Sequence, residues 1–68
     1  MSKFNVGDKV VLTKPPIGLD KYPGYVGQVG TVKAMAGKTC EVYGLMYGDG
    51  MPVKGFMYCD EGGLEKAK

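Results

Sequence analysis

Residues 24–35 constrain this chain more than any other stretch: Gly24-Tyr25-Val26-Gly27-Gln28-Val29-Gly30-Thr31-Val32-Lys33-Ala34-Met35. Glycine at every third position makes a helix unfavourable, since each one costs about 1 kcal/mol in a helix interior. From residue 30 the pattern alternates with period two, which predicts a strand over 30–35. On that reading Val32 and Ala34 point to one side, and Thr31, Lys33 and Met35 to the other. Glycines beside and inside a strand permit sharp coiling, so the stretch predicts a small twisted β-barrel. It does not predict a phosphate loop, because no lysine–hydroxyl pair follows the glycines and no helix opens there.

Length narrows the outcome further. With 68 residues the chain is expected to form one domain over 1–68, with a thin core. Twelve glycines and four prolines imply many turns and an all-β fold. The remaining strands are predicted at 9–13, 39–45, 53–58 and 64–67. Val10 and Leu12 face inward on the first, and Cys40 and Val42 on the third, which leaves Tyr43 outside. Gly37 suits the hairpin after the second strand. The segment 14–24 contains Pro15, Pro16 and Pro23, which fix φ and remove backbone donors, so a long ordered loop follows the first strand. Its Ile17, Leu19 and Tyr22 are apolar enough that some pack back on the body. Residues 59–63 read as a turn, possible as one 3₁₀ turn, and the tail 66–68 is expected to fray.

Several functions are poorly supplied. The chain has no histidine, so the commonest general base near neutral pH is missing. Its one serine, Ser2, lies at the terminus. Asp60-Glu61 reads as a solvated turn, and Gly48-Asp49-Gly50 has too few oxygen ligands for a calcium loop. No catalytic residue, metal site or cofactor is therefore expected. Two readings of Cys40 and Cys59 stand: a redox pair or metal site, or a small buried apolar residue plus a turn cysteine. All nine cations are lysine, against seven carboxylates, for a net charge of +2. That balance is weak for nucleic acid, and arginine, the residue of bidentate phosphate and base contacts, is absent. No apolar run approaches a membrane span and no h-region follows Met1-Ser2-Lys3, so the expectation is a cytoplasmic chain with reduced thiols and no membrane partner.

Five strands with one long loop, a tight hairpin and a late turn resemble an SH3-like barrel. Val6-Gly7-Asp8-Lys9-Val10 looks like the opening of many such barrels. The spacing from Gly27 to Val32 is similar to the glycine–valine core of the KOW type, and Gly63-Leu64-Glu65 to the common closing strand. The resemblance covers about residues 4–67 and extends to small photosynthetic accessory subunits of this fold. It implies a docking or accessory role.

Aromatic residues supply the candidate site. Tyrosine has an apolar body and a polar tip, which suits interface positions. Tyr22 and Tyr25 end the long loop and Tyr47 lies in the loop between the third and fourth strands. If the two loops flank one groove, these three anchor a partner with Lys21 and Lys54 at the rim. The competing reading is that the tyrosines cover a thin core. The expectation is a non-catalytic module binding a protein partner, or a second copy of itself through Val11, Met35 and Tyr43. The alternative is a KOW-type nucleic-acid-binding module, and a small oligomeric enzyme with a central-pore site ranks third.

Overall fold

The structure, a computed structural model, describes residues 3–67. Five antiparallel strands form one sheet: β1 (Lys9–Leu12), β2 (Val29–Ala36), β3 (Thr39–Tyr43), β4 (Phe56–Asp60) and β5 (Leu64–Lys66). The spatial order is β4-β3-β2-β1-β5. The all-β class and the long loop after β1 are as the sequence predicts. Ser2, Met1 and Lys68 lie outside the described residues.

Hydrogen bonding does not close the sheet into a barrel, because edge strands β4 and β5 share no ladder. Only the 3₁₀ turn Glu61–Gly63 joins them, so the sheet must curl until its two edges meet at that corner. Beyond the corner the start of the long loop occupies the gap. The Thr13 amide donates to the Gly63 carbonyl (2.8 Å) and the Ile17 amide to the Tyr58 carbonyl (2.9 Å). Between them lie Pro15 and Pro16, which have no N–H to extend a ladder; Pro16 is fully buried.

Two-residue alternation holds where it was expected on β1 and β3. Val10, Leu12, Cys40 and Val42 face the core, which also takes Phe4, Tyr25, Val32, Leu45, Cys59 and Leu64. On β2 it fails after Val32. That residue pairs with Val42, but Ala34 pairs with Glu41 and Met35 with Cys40. Lys33 is thus the extra residue of a β-bulge, which shifts the facing of everything after it. Met35 turns inward and packs against the core, while Ala34 joins the outer face opposite Glu41. The patch of Val11, Met35 and Tyr43 expected for self-association therefore does not form on one face.

Strand boundaries move for local reasons. β3 stops at Tyr43 because Gly44 takes φ 89°, although Leu45 is still buried. The fourth strand starts at Phe56 and not at Val53, since Gly55 (φ 75°) breaks the extended run. It runs through Cys59, which is a buried strand residue and not a turn cysteine. The 3₁₀ turn after β4 is capped by Asp60, whose carboxylate accepts from the Gly62 amide (2.9 Å). At the C-terminal end, Lys66 pairs with Val10 and the Ala67 amide donates to the Lys9 carbonyl (2.9 Å), so the sheet extends through Lys66 and a backbone hydrogen bond holds Ala67 beside it.

The Gly7-Asp8 turn has a specific use. Asp8 accepts from the Asn5 amide through Oδ2 (2.9 Å), and its carbonyl accepts from the Val32 amide (2.9 Å). The carboxylate thereby fixes the turn that feeds β1. Lys66 Nζ lies 3.8 Å from the same Oδ2, but so exposed a pair contributes little.

Candidate functional site

The two loops that the sequence singles out meet. The long loop ends in the 3₁₀ turn Pro23–Tyr25. The loop between β3 and β4 is closed by an isolated bridge of Met46 with Pro52 and by the Tyr47 amide donating to the Met51 carbonyl (2.7 Å). Between the two lies an open cleft of about 540 Å³, lined by Lys21, Tyr22, Tyr25, Tyr47 and Asp49 together with Pro23, Gly24 and Gly48.

The three tyrosines occupy it differently. Tyr22 (59% exposed) and Tyr47 (43%) stand on opposite loops as walls. Tyr25 is only 6% exposed and belongs to the core, so it forms the floor and is not a protruding anchor. Tyr25 thus covers the core, while Tyr22 and Tyr47 remain exposed. Lys21 is on one rim. Lys54 is exposed but does not line the cleft. Asp49 does, a rim residue that sequence reasoning passed over. Its Oδ1 accepts from the Met51 amide (2.9 Å), which holds the turn and fixes a negative charge opposite the Lys21 loop.

Gln28 is the residue that makes the cleft. Its Oε1 accepts from the Met46 amide (2.7 Å), while its Nε2 donates to the carbonyls of Met46 (3.0 Å) and Gly24 (3.1 Å). One side chain therefore ties both loops together, bonding the Met46 backbone much as a neighbouring strand would. Its own backbone is fixed to β1: the Leu12 amide donates to the Gln28 carbonyl (3.0 Å), and the Gly27 amide to the Leu12 carbonyl (2.7 Å). Two residues facing Leu12 make a bulge, and Gly27, at φ 92°, supplies the left-handed position that such a bulge requires. No sequence motif marks Gln28; its partners are a short distance away in one direction and eighteen residues away in the other.

The outer face of β3 and β4 carries a second aromatic group. Tyr43 pairs with Phe56, and Glu41 with Tyr58. Phe56 and Tyr58 meet edge to face with centroids 5.3 Å apart. The bulged Lys33 places its ammonium 4.6 Å from the Phe56 ring centroid, a cation–π contact that occupies this ring's face. A shallow hollow of about 310 Å³ lies beside Lys33, Tyr43 and Gly55.

Burial disfavours the thiolate form of both cysteines. Burial pushes the Cys59 thiol from its ordinary 9.0 up to about 11, with the neighbouring Cys40 adding to the shift. Cys40 is raised by burial first, then by the charges of Glu61 and Asp60. In the unfolded chain the Cys59 thiol ionises near 9, below its folded value, so alkali favours unfolding. Its contribution to stability is expected to be complete below pH 9 and lost as pH rises through 11. The urea midpoint measured across that range checks this, and Cys59→Ala should flatten part of the fall.

Comparison with protein-family models, with curated proteins and with solved structures finds no match to this chain. Fold and cleft together define a small five-stranded antiparallel β domain with two tethered loops.

Proposed function

We propose that this chain is a non-catalytic interaction module of SH3-like architecture, which takes an extended protein segment in the cleft between its two loops. The observation that carries the reading is that two exposed tyrosines, Tyr22 and Tyr47, line one cleft from two loops tied together by Gln28. Pre-tethered loops lower the ordering cost of binding, and rigid tyrosines present large amphipathic area at small entropy cost. The rim charges, Lys21 and Asp49, are opposite in sign. They suit a polypeptide, which offers both charges and backbone dipoles, better than a polyanion. The SH3-like assignment draws support from the strand order, the long first loop and the 3₁₀ turn before β5.

Random peptides displayed on phage and selected on the immobilised chain provide the test. Selected peptides should lose affinity on Tyr22→Ala and on Tyr47→Ala, each by roughly tenfold or more, as truncation of an aromatic hot spot costs about 2 kcal/mol. Peptides that bind both variants as tightly as the parent chain would remove the cleft as the site.

A further inference from the structure

Cys40 and Cys59 lie nineteen positions apart in the chain but are direct partners across the β3–β4 ladder. Both face the core, at 1% and 2% exposure, and both are free thiols. The hydrogen-bond pattern around them fixes their geometry. The Tyr58 carbonyl points away from β3, accepting from Ile17, and the Glu61 amide donates to the Lys38 carbonyl (2.8 Å). The pairs Glu41/Tyr58 and Thr39/Asp60 are therefore the non-hydrogen-bonded ones, and Cys40/Cys59 is the hydrogen-bonded pair between them. Such pairs have Cα atoms about 5.5 Å apart, inside the span of roughly 4.4–6.8 Å that a disulfide bridges.

We infer that Cys40 and Cys59 form an intramolecular oxidation site, a dithiol that a small-molecule disulfide converts within the folded chain into a cross-strand disulfide. The oxidant class is a low-molecular-weight disulfide such as glutathione disulfide. One cysteine thiolate attacks a sulfur of the oxidant; a protein–glutathione bond forms, and one glutathione leaves as thiolate and takes up a proton. The second cysteine, giving up its proton, attacks the protein sulfur of that mixed disulfide. The cross-strand bond forms as the second glutathione leaves. The chain loses two protons and two electrons, and the oxidant becomes two thiols.

Access comes through β4. It is an edge strand, and edges open locally at less cost than the interior. The product ring runs from residue 40 to residue 59 and encloses the whole β3–β4 loop with Tyr47 and Asp49. Three ladder pairs, Glu41/Tyr58, Val42/Met57 and Tyr43/Phe56, separate the crosslink from that loop. This inference concerns the cysteine pair and stands whether or not the cleft binds a peptide.

The test incubates the folded 68-residue chain with glutathione disulfide and reads intact mass, non-reducing mobility and peptide mapping. The expected product is a monomer that has lost both free thiols and two hydrogens, carries a Cys40–Cys59 crosslink and reverts with dithiothreitol. Cys40→Ala is expected to stop at a glutathione adduct on Cys59. A parallel reaction in urea keeps the test decisive if that variant does not fold. A wild-type chain that stays adducted on one cysteine, forms intermolecular dimers, retains both thiols, or crosslinks only in urea would overturn the inference.

Discussion

Gly30→Ala is expected to destabilise the fold more than any other single-methyl change. Gly30 sits inside β2 opposite Val10 and is buried. A Cβ there would collide with Val42 Cγ1 and lie 2.8 Å from the Tyr43 carbonyl oxygen and 3.1 Å from Leu45 Cδ2. Val42 can shift only by displacing the core, and the carbonyl belongs to β3 itself. Overpacking of this kind costs about 3 kcal/mol. A domain of this size has about 3–10 kcal/mol of stability in total. The expected drop in Tm is roughly 15 °C, taking about 4–8 °C per kcal/mol for small domains. Gly48→Ala is the control, since nothing lies within 4 Å of a Cβ placed there, and it should stay within about 0.5 kcal/mol of the parent. Thermal melts of the two variants check the contrast. Adding Val42→Ala to Gly30→Ala should recover part of the loss, because the two positions share one space. Equal melting of Gly30→Ala and Gly48→Ala would show that the core is looser than the close approach at Gly30 implies.

The second large effect is expected at Gln28. Removing its side chain abolishes three hydrogen bonds. At about 1 kcal/mol net for each in a half-buried site, Gln28→Ala should cost about 2–3 kcal/mol. Gln28→Glu should be worse near neutral pH. It keeps the acceptor for the Met46 amide but turns both donors into an anion facing the Met46 and Gly24 carbonyls. The readout that separates a loop tether from general packing is amide exchange: protection of Met46 should fall more than protection of β1 or β3. Peptide binding in the cleft should weaken in parallel, since the walls carrying Tyr22 and Tyr47 lose their common anchor. A variant that melts early but keeps Met46 protected would contradict the tether.

These two residues also mark how far the sequence could be read. The strands at Lys9–Leu12 and Thr39–Tyr43 were legible, with their inward residues Val10, Leu12, Cys40 and Val42, because alternation is a local property. So were the long proline-bearing loop, the Gly37 hairpin and the 3₁₀ turn before β5. That the loops carrying Tyr22, Tyr25 and Tyr47 flank one groove was a condition suggested by the SH3-like resemblance, and the structure meets it with a different composition. Tyr25 sank into the core, Lys54 stayed outside, and Asp49 and Gln28 entered.

Residues 24–35 show the division most clearly. By itself the sequence determined that this stretch is a coiled strand entered through glycines, since spacing and the cost of glycine in helices exclude the alternatives. Only the tertiary structure decided which glycine does what. Gly27 makes a bulge because Leu12 lies opposite two residues, and Gly30 is bare because Val42 and Leu45 cross above it. The bulge at Lys33, the pairing of Cys40 with Cys59 and the unclosed edge between β4 and β5 are likewise matters of register. Register is set by partners distant in sequence, and a one-residue slip reverses which face every later side chain presents. Periodicity within one strand carries no record of such a slip.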